Sequence, residues 1–137
     1  GYDVWGMDHT LSLIIVPMLK KLKEVKHGGP HVDLEDVPKR LRPTAKQMEK
    51  FNTTGHIDDK WFERWEWVLD EMIWAHEQII DDGGDSKFFD HTEANKEPDF
   101  SKSINKIKVD RKGLKAHHDR IHNGLKLFGK YYRSLWD

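Results

Sequence analysis

A chain of 137 residues without cysteine reads as one domain that holds together with no disulfide, no Cys-ligated zinc and no cysteine nucleophile. Its 23 Lys and Arg against 24 Asp and Glu, a formal charge of −1, exclude the strongly basic balance of a protein that coats nucleic acid. Protonating the nine histidines would carry that charge to +8, so charge-dependent behaviour should change between pH 7 and about pH 5.

The first predicted helix is "MDHTLSLIIVPMLKKLKEVKHGG". Asp8 or Thr10 can cap its start. Leu11, Ile15, Met18, Leu22 and Val25 step by 4, 3, 4, 3 and form one stripe. Lysines near the end complement the helix dipole, and Gly28-Gly29 stops the helix. Pro17 removes the bond to the Leu13 carbonyl and should kink it. The apolar run "LSLIIVPML" inside this segment is too short to span a bilayer, and no basic stretch precedes it as in a signal peptide. No membrane partner is therefore expected. The chain begins Gly-Tyr without Met, as a processed chain or a piece of a longer one would.

The second predicted helix is "WFERWEWVLDEMIWAHEQIIDD", with Asp58 or Asp59 as its cap and Gly83-Gly84 as its end. Trp61, Trp65, Val68, Met72, Ala75 and Ile79, widened by Leu69 and Ile73, make its core stripe. The third runs from about Asp110 to Trp136. Leu114, His118, Ile121, Leu125, Phe128, Tyr132 and Leu135 make its stripe, and Gly124 and Gly129 are places where a neighbouring helix can come close. Three such seams predict an all-α fold: a bundle of three main antiparallel helices with two long decorated connections, residues 27–57 and 83–109. Within the first connection, "LEDVPKRL" and "TAKQMEKF" are candidate helical turns.

At about 100° per residue, Trp67 and Trp74 fall within about 20° of each other on the side of the second helix opposite its core stripe. Asp70, Glu71 and Glu77 belong to the same carboxylate-framed face. Either the connections or the N-terminal "GYDVW" fold over these rings, or the face takes a partner. Trp67, Asp70, Glu71, Trp74 and Glu77 are accordingly the candidate partner-binding residues. The partner would be another protein or a second copy.

Candidate chemistry is sparse. His118-Asp119-x-x-His122 has the spacing of the zinc-protease motif with Asp in place of Glu, and both imidazoles can share one side of a helix. Asp is shorter than the expected base, no third ligand is evident, and His118 sits in the apolar seam. It reads as a core histidine within reach of His76 rather than as a metal ligand. "HGGPHVDLED" gathers two histidines and three acids in a loop that Gly-Gly-Pro already explains. Glu63-x-x-Glu66 is half of a carboxylate metal pattern whose second half is missing; Glu77, Asp81, Asp82 and Asp85 do not restore it. A metal-dependent hydrolase of nucleotides or phosphoesters is the alternative function these residues would serve, along with Asp70. No cofactor is required by any motif, no catalytic residue is assigned, and the chain reads as a binding protein rather than an enzyme. "KLKEVK" and "KSINKIKVDRK" lack interleaved exposed aromatics, so a nucleic-acid partner is not expected.

Three stretches, "YDVWGMDHTLSLIIVPMLKKLKEVKHGGPHVDLEDVP", "RWEWVLDEMIWAHEQ" and "GLKLFGKYYRSLWD", resemble a family of uncharacterised proteins of tailed bacteriophages, including cyanophages. The resemblance implies a viral protein acting in the cytoplasm of an infected bacterium, and the C-terminal part of a longer protein. It brings no reaction, cofactor or catalytic residue. A phage accessory protein that works by protein binding is the function expected, with a virion structural component as a further alternative.

Overall fold

The computed structural model describes residues 2–81 and 83–137, the side chains of Tyr2 and Asp3 excepted. Gly1 and the Asp82 of the proposed acidic loop thus lie outside the described residues. The chain is all-α. Its helices are α1 (Tyr2–Trp5), α2 (Met7–Val25), α3 (Ala45–Thr54), α4 (Trp61–Ile80), α5 (Phe100–Ile104) and α6 (Arg111–Lys130). Two short strands, β1 (Phe89–Asp90) and β2 (Lys108–Val109), pair antiparallel, with Phe89 opposite Val109.

The helix α4 is the middle of the bundle, and both α2 and α6 pack along it. Its interior line of Trp65, Val68, Leu69, Met72, Ile73 and Ala75 is buried, as the periodicity requires. The antiparallel order of α2 shows in its ion pairs: Lys20, Lys23 and Lys26 reach Glu77, Asp70 and Glu66 in turn, at 3.8, 2.8 and 2.6 Å. The order of α6 is antiparallel for the same reason, with Arg120 on Glu71 and Tyr131 against Trp65.

Two seams are rotated from the sequence reading. On α2 the buried residues are Ser12, Val16 and Leu19, whereas Leu11, Met18 and Val25 are exposed. Ser12 is a small residue on the buried line of α2, and Ile15 and Leu22 are half-buried beside the core. On α6 the buried residues are His117, Gly124 and Leu127, continued by Tyr131; His118 and Tyr132 are exposed. Gly124 decides this rotation. Its backbone faces Ala75 and the Glu71 carbonyl so closely that a side chain there would collide with both. Nothing lies within 4 Å of the position a Gly129 side chain would take, so that glycine serves no close approach.

The ends also differ. Neither Asp8 nor Thr10 caps α2, which starts after Gly6 with no side-chain cap. It runs through Pro17 and ends at Val25, before the glycine pair. The cap of α4 is Lys60, without a side-chain bond. Asp58 instead holds the buried Arg64 by two bonds of 2.8 and 2.6 Å, while Arg64 Nη1 also donates to the Leu41 carbonyl at 3.0 Å. The start of α6 is capped by Asp110, which accepts the Gly113 N–H.

Both connections carry structure. In the first, "LEDVPKRL" makes 3-10 turns at Leu34–Asp36 and Lys39–Leu41. A Thr44/Gln47 capping box opens α3, and Gly55 closes it with φ of 72°. Val32, Val37 and Leu41 drop from this connection into the core, which makes it a third wall of the bundle rather than a decoration.

Candidate functional site

The Trp67/Trp74 face is the first candidate, and the chain itself occupies much of it. Both indoles are half-buried. Trp67 packs against the core cluster. Trp74 meets the edge of the His117 ring at 5.3 Å, and the Arg120 guanidinium lies over it at 3.8 Å. The same guanidinium makes two bonds to Glu71, at 3.2 and 2.8 Å. Asp70 and Glu77 take Lys23 and Lys20 of α2. The cover over Trp74 is therefore α6, not the N-terminal segment: Val4 and Trp5 are exposed, Trp5 at 93%. Of α4, only Phe62, Glu63, Asp70 and Glu77 remain exposed.

The histidines divide. His76 is buried, donates from Nδ1 to the Met72 carbonyl at 2.7 Å and packs on Phe128. His118 is on the surface, 3.1 Å from Asp85, so the predicted His76–His118 contact does not form. His117 is the buried member of the pair, between Trp74 and Phe88. His122 is exposed. Glu63, Glu66, Asp70, Glu77 and Asp81 do not converge either. Among the described residues no three His, Asp or Glu side chains are placed to hold a metal ion.

The acids of "HGGPHVDLED" have a structural task that the loop reading missed. Lys130 reaches Asp33 at 2.8 Å and Asp36 at 2.6 Å. The Tyr131 hydroxyl donates to Asp36 at 2.6 Å and accepts the Asp33 N–H at 2.9 Å. Burial, with the bond to Asp36 second, pushes the Tyr131 phenol from its ordinary 10.0 up to about 12. In that window the folded chain holds a proton that the unfolded chain has released. Stability from this group is therefore complete below pH 10.0 and is lost as pH rises through about 12. An ultraviolet titration of the three tyrosines should show a late phenolate step near pH 12 that Tyr131→Phe removes. A wild-type titration without that step would refute the assignment.

The second candidate is the outward side of α2. Eight of the fifteen exposed large apolar side chains among the described residues lie between Val4 and Val25. Met7, Leu11, Ile14, Met18 and Val25 form a line about 140° around the helix from the α4-facing line, at about 100° per residue. Ile14 is 53% and Met18 66% exposed. Met18 also borders a groove of about 500 Å³ between α2 and the end of α6, whose far wall is Phe128, Tyr132, Leu135 and Trp136. Helix α2 is thus apolar on two sides and covered on one. The signal was present in the sequence, because "LSLIIVPML" has more apolar residues than a single stripe needs.

Fold and surface together define an all-α helical protein with an uncovered apolar helix face. Comparison with protein-family models, curated proteins and solved structures finds no match to this chain. No helix among the described residues is long and apolar enough to cross a membrane.

Proposed function

We propose that this protein acts by binding another polypeptide through the outward face of α2, as an accessory protein in the cytoplasm of a phage-infected bacterium. The phage setting is supported by the resemblance of its two ends and central helix to proteins of tailed bacteriophages. The binding function is carried by one observation, the continuous exposed line of Met7, Leu11, Ile14 and Met18. Apolar patches of more than a few hundred Å² on a monomer mark interaction sites, because leaving them in water is unfavourable. The Trp67/Trp74 face is the less favoured surface, since Arg120, Lys20 and Lys23 already engage Glu71, Glu77 and Asp70.

A photo-cross-linking side chain placed at Ile14 in bacteria producing the full chain tests the proposal. A discrete polypeptide adduct at Ile14, absent when the probe is at exposed Asn123, is the expected result. Equal labelling at both positions, or no adduct at either, would overturn it.

A further inference from the structure

The outer face of α2 is symmetric in a way that names its occupant. Along α2, Met7, Leu11, Ile14, Ile15, Met18 and Leu22 are separated by steps of 4, 3, 1, 3 and 4. The series reads the same in both directions about the point between Ile14 and Ile15. Two such helices laid antiparallel, with a two-fold axis at that point, put an apolar residue opposite an apolar residue at every step: Ile14 on Ile15, Leu11 on Met18, Met7 on Leu22. A two-fold interface uses the same patch twice and therefore requires this self-complementarity. A stripe shaped for an unrelated helix has no need of it.

We propose that the occupant is a second copy of this chain, and that the protein is a two-fold dimer joined by antiparallel α2 helices. This deepens the binding function proposed above and rests on it. Three further observations favour the arrangement. Four of these six residues are exposed, and the other two, Ile15 and Leu22, are half-buried at the groove edge beside the core. The outward charge of α2 is unequal along its length: Asp8 lies near its start and Lys21, with Glu24 beside it, near its end, while Lys20 and Lys23 engage Glu77 and Asp70 of α4. Parallel pairing would set Lys21 against Lys21, whereas antiparallel pairing about the Ile14–Ile15 point sets it opposite Asp8 and opposes the helix dipoles. Finally, α2 and α6 both lean on α4 and leave the groove between them, where a bundle would carry a fourth helix. The partner's α2 seats at that mouth, against Tyr132 and Trp136. A specific interface buries about 800 Å² per partner, so those rings have to join the stripe in it.

The test is sedimentation of the purified full chain, followed by cysteine pairing. The wild type should sediment at about 32 kDa, twice its 16.2 kDa. Ile14→Glu with Met18→Glu should return it to 16.2 kDa with helicity unchanged, since both side chains are exposed and outside the core. The chain has no cysteine of its own, so disulfides report register directly. A mixture of Leu11→Cys and Met18→Cys chains should cross-link on the order of tenfold faster than either variant alone, because the antiparallel register sets those two positions side by side. Faster pairing of Leu11→Cys with itself would overturn the antiparallel dimer. So would a wild-type monomer at millimolar chain. In the monomer case a cellular adduct at Ile14 that is heavier or lighter than two chains would leave the binding function standing and remove only the second copy. Absence of any adduct would remove both.

Discussion

Replacing Asp58 with Ala destabilises this protein by about 3–5 kcal/mol, the cost of leaving a buried guanidinium without its counter-charge. Arg64 is only 3% exposed, and two of the three acceptors of its side chain are the Asp58 oxygens. Without them the charge keeps the Leu41 carbonyl and the ring of Trp61, 5.8 Å away. The bonds also join three parts of the chain, since Asp58 precedes α4, Arg64 lies on it and Leu41 belongs to the first connection. A loss of this size lowers Tm by about 10–20 °C for a domain of this length. Calorimetry of Asp58→Ala beside an Asp58→Ala, Arg64→Met double variant separates the causes. The double variant should be the more stable of the two, because it removes the stranded charge. A single variant melting within a few degrees of wild type would show that Arg64 finds another counter-charge.

The same pair sets an acid limit. The bonds from Arg64 hold the Asp58 carboxyl below its ordinary 3.8, against the opposing effect of burial. A lowered carboxyl contributes stability that is present above its unfolded value and is lost as pH falls through its folded one. Wild-type Tm should therefore drop below about pH 4 more steeply than that of the double variant.

Gly124→Ala inverts the usual sign of a glycine replacement within a helix. Elsewhere in a helix this change stabilises by about 1 kcal/mol, because alanine orders at lower entropic cost. Here the added methyl would meet Ala75 Cβ and lie 2.6 Å from the Glu71 carbonyl, so α6 must move off α4. Overpacking of this kind costs about 1–3 kcal/mol. Gly129→Ala, on the same helix with nothing within 4 Å, is the matched control and should stabilise by about 1 kcal/mol. Denaturant unfolding of the two variants should move the midpoints in opposite directions. Equal shifts would mean that the helices do not approach at Gly124. Ala75→Gly added to Gly124→Ala should recover part of the loss.

The two rotated seams show the limit of a hydrophobic stripe as a guide. On α6 the largest apolar residues define a line through Leu114, His118, Ile121 and Leu125. The helix contacts α4 about one residue away from it, where Gly124 permits the closest backbone approach. Apolar count alone is insensitive to that preference, since glycine contributes no apolar side chain. On α2 two stripes overlap, and the periodic reading joined edge residues of the core, Ile15 and Leu22, to outward residues, Leu11 and Met18. Helix α4 was legible to within two residues at its end, and most of its stripe is buried, because its large apolar residues and its contact line coincide; Trp61 and Ile79, at the ends of the stripe, are only half-buried. The buried Arg64 was hidden because its partner, Asp58, also suits a helix cap. The Lys130–Asp33–Asp36–Tyr131 node was hidden because its members are about a hundred residues apart.

Local order of the chain determined the number and type of the three main helices, the turns inside the first connection and the existence of surplus apolar surface on α2, but not where the third helix ends, which is at Lys130 rather than the expected Trp136. Each depends on spacing along the chain, and spacing is local. Tertiary structure alone decided which line of each helix faces α4, that α6 rather than the N-terminus covers Trp74, and that the acids of the loop serve Lys130 and Tyr131. Those outcomes turn on the packing angle at which three helices and a connection fill one volume, a property of the assembled core that no single segment carries.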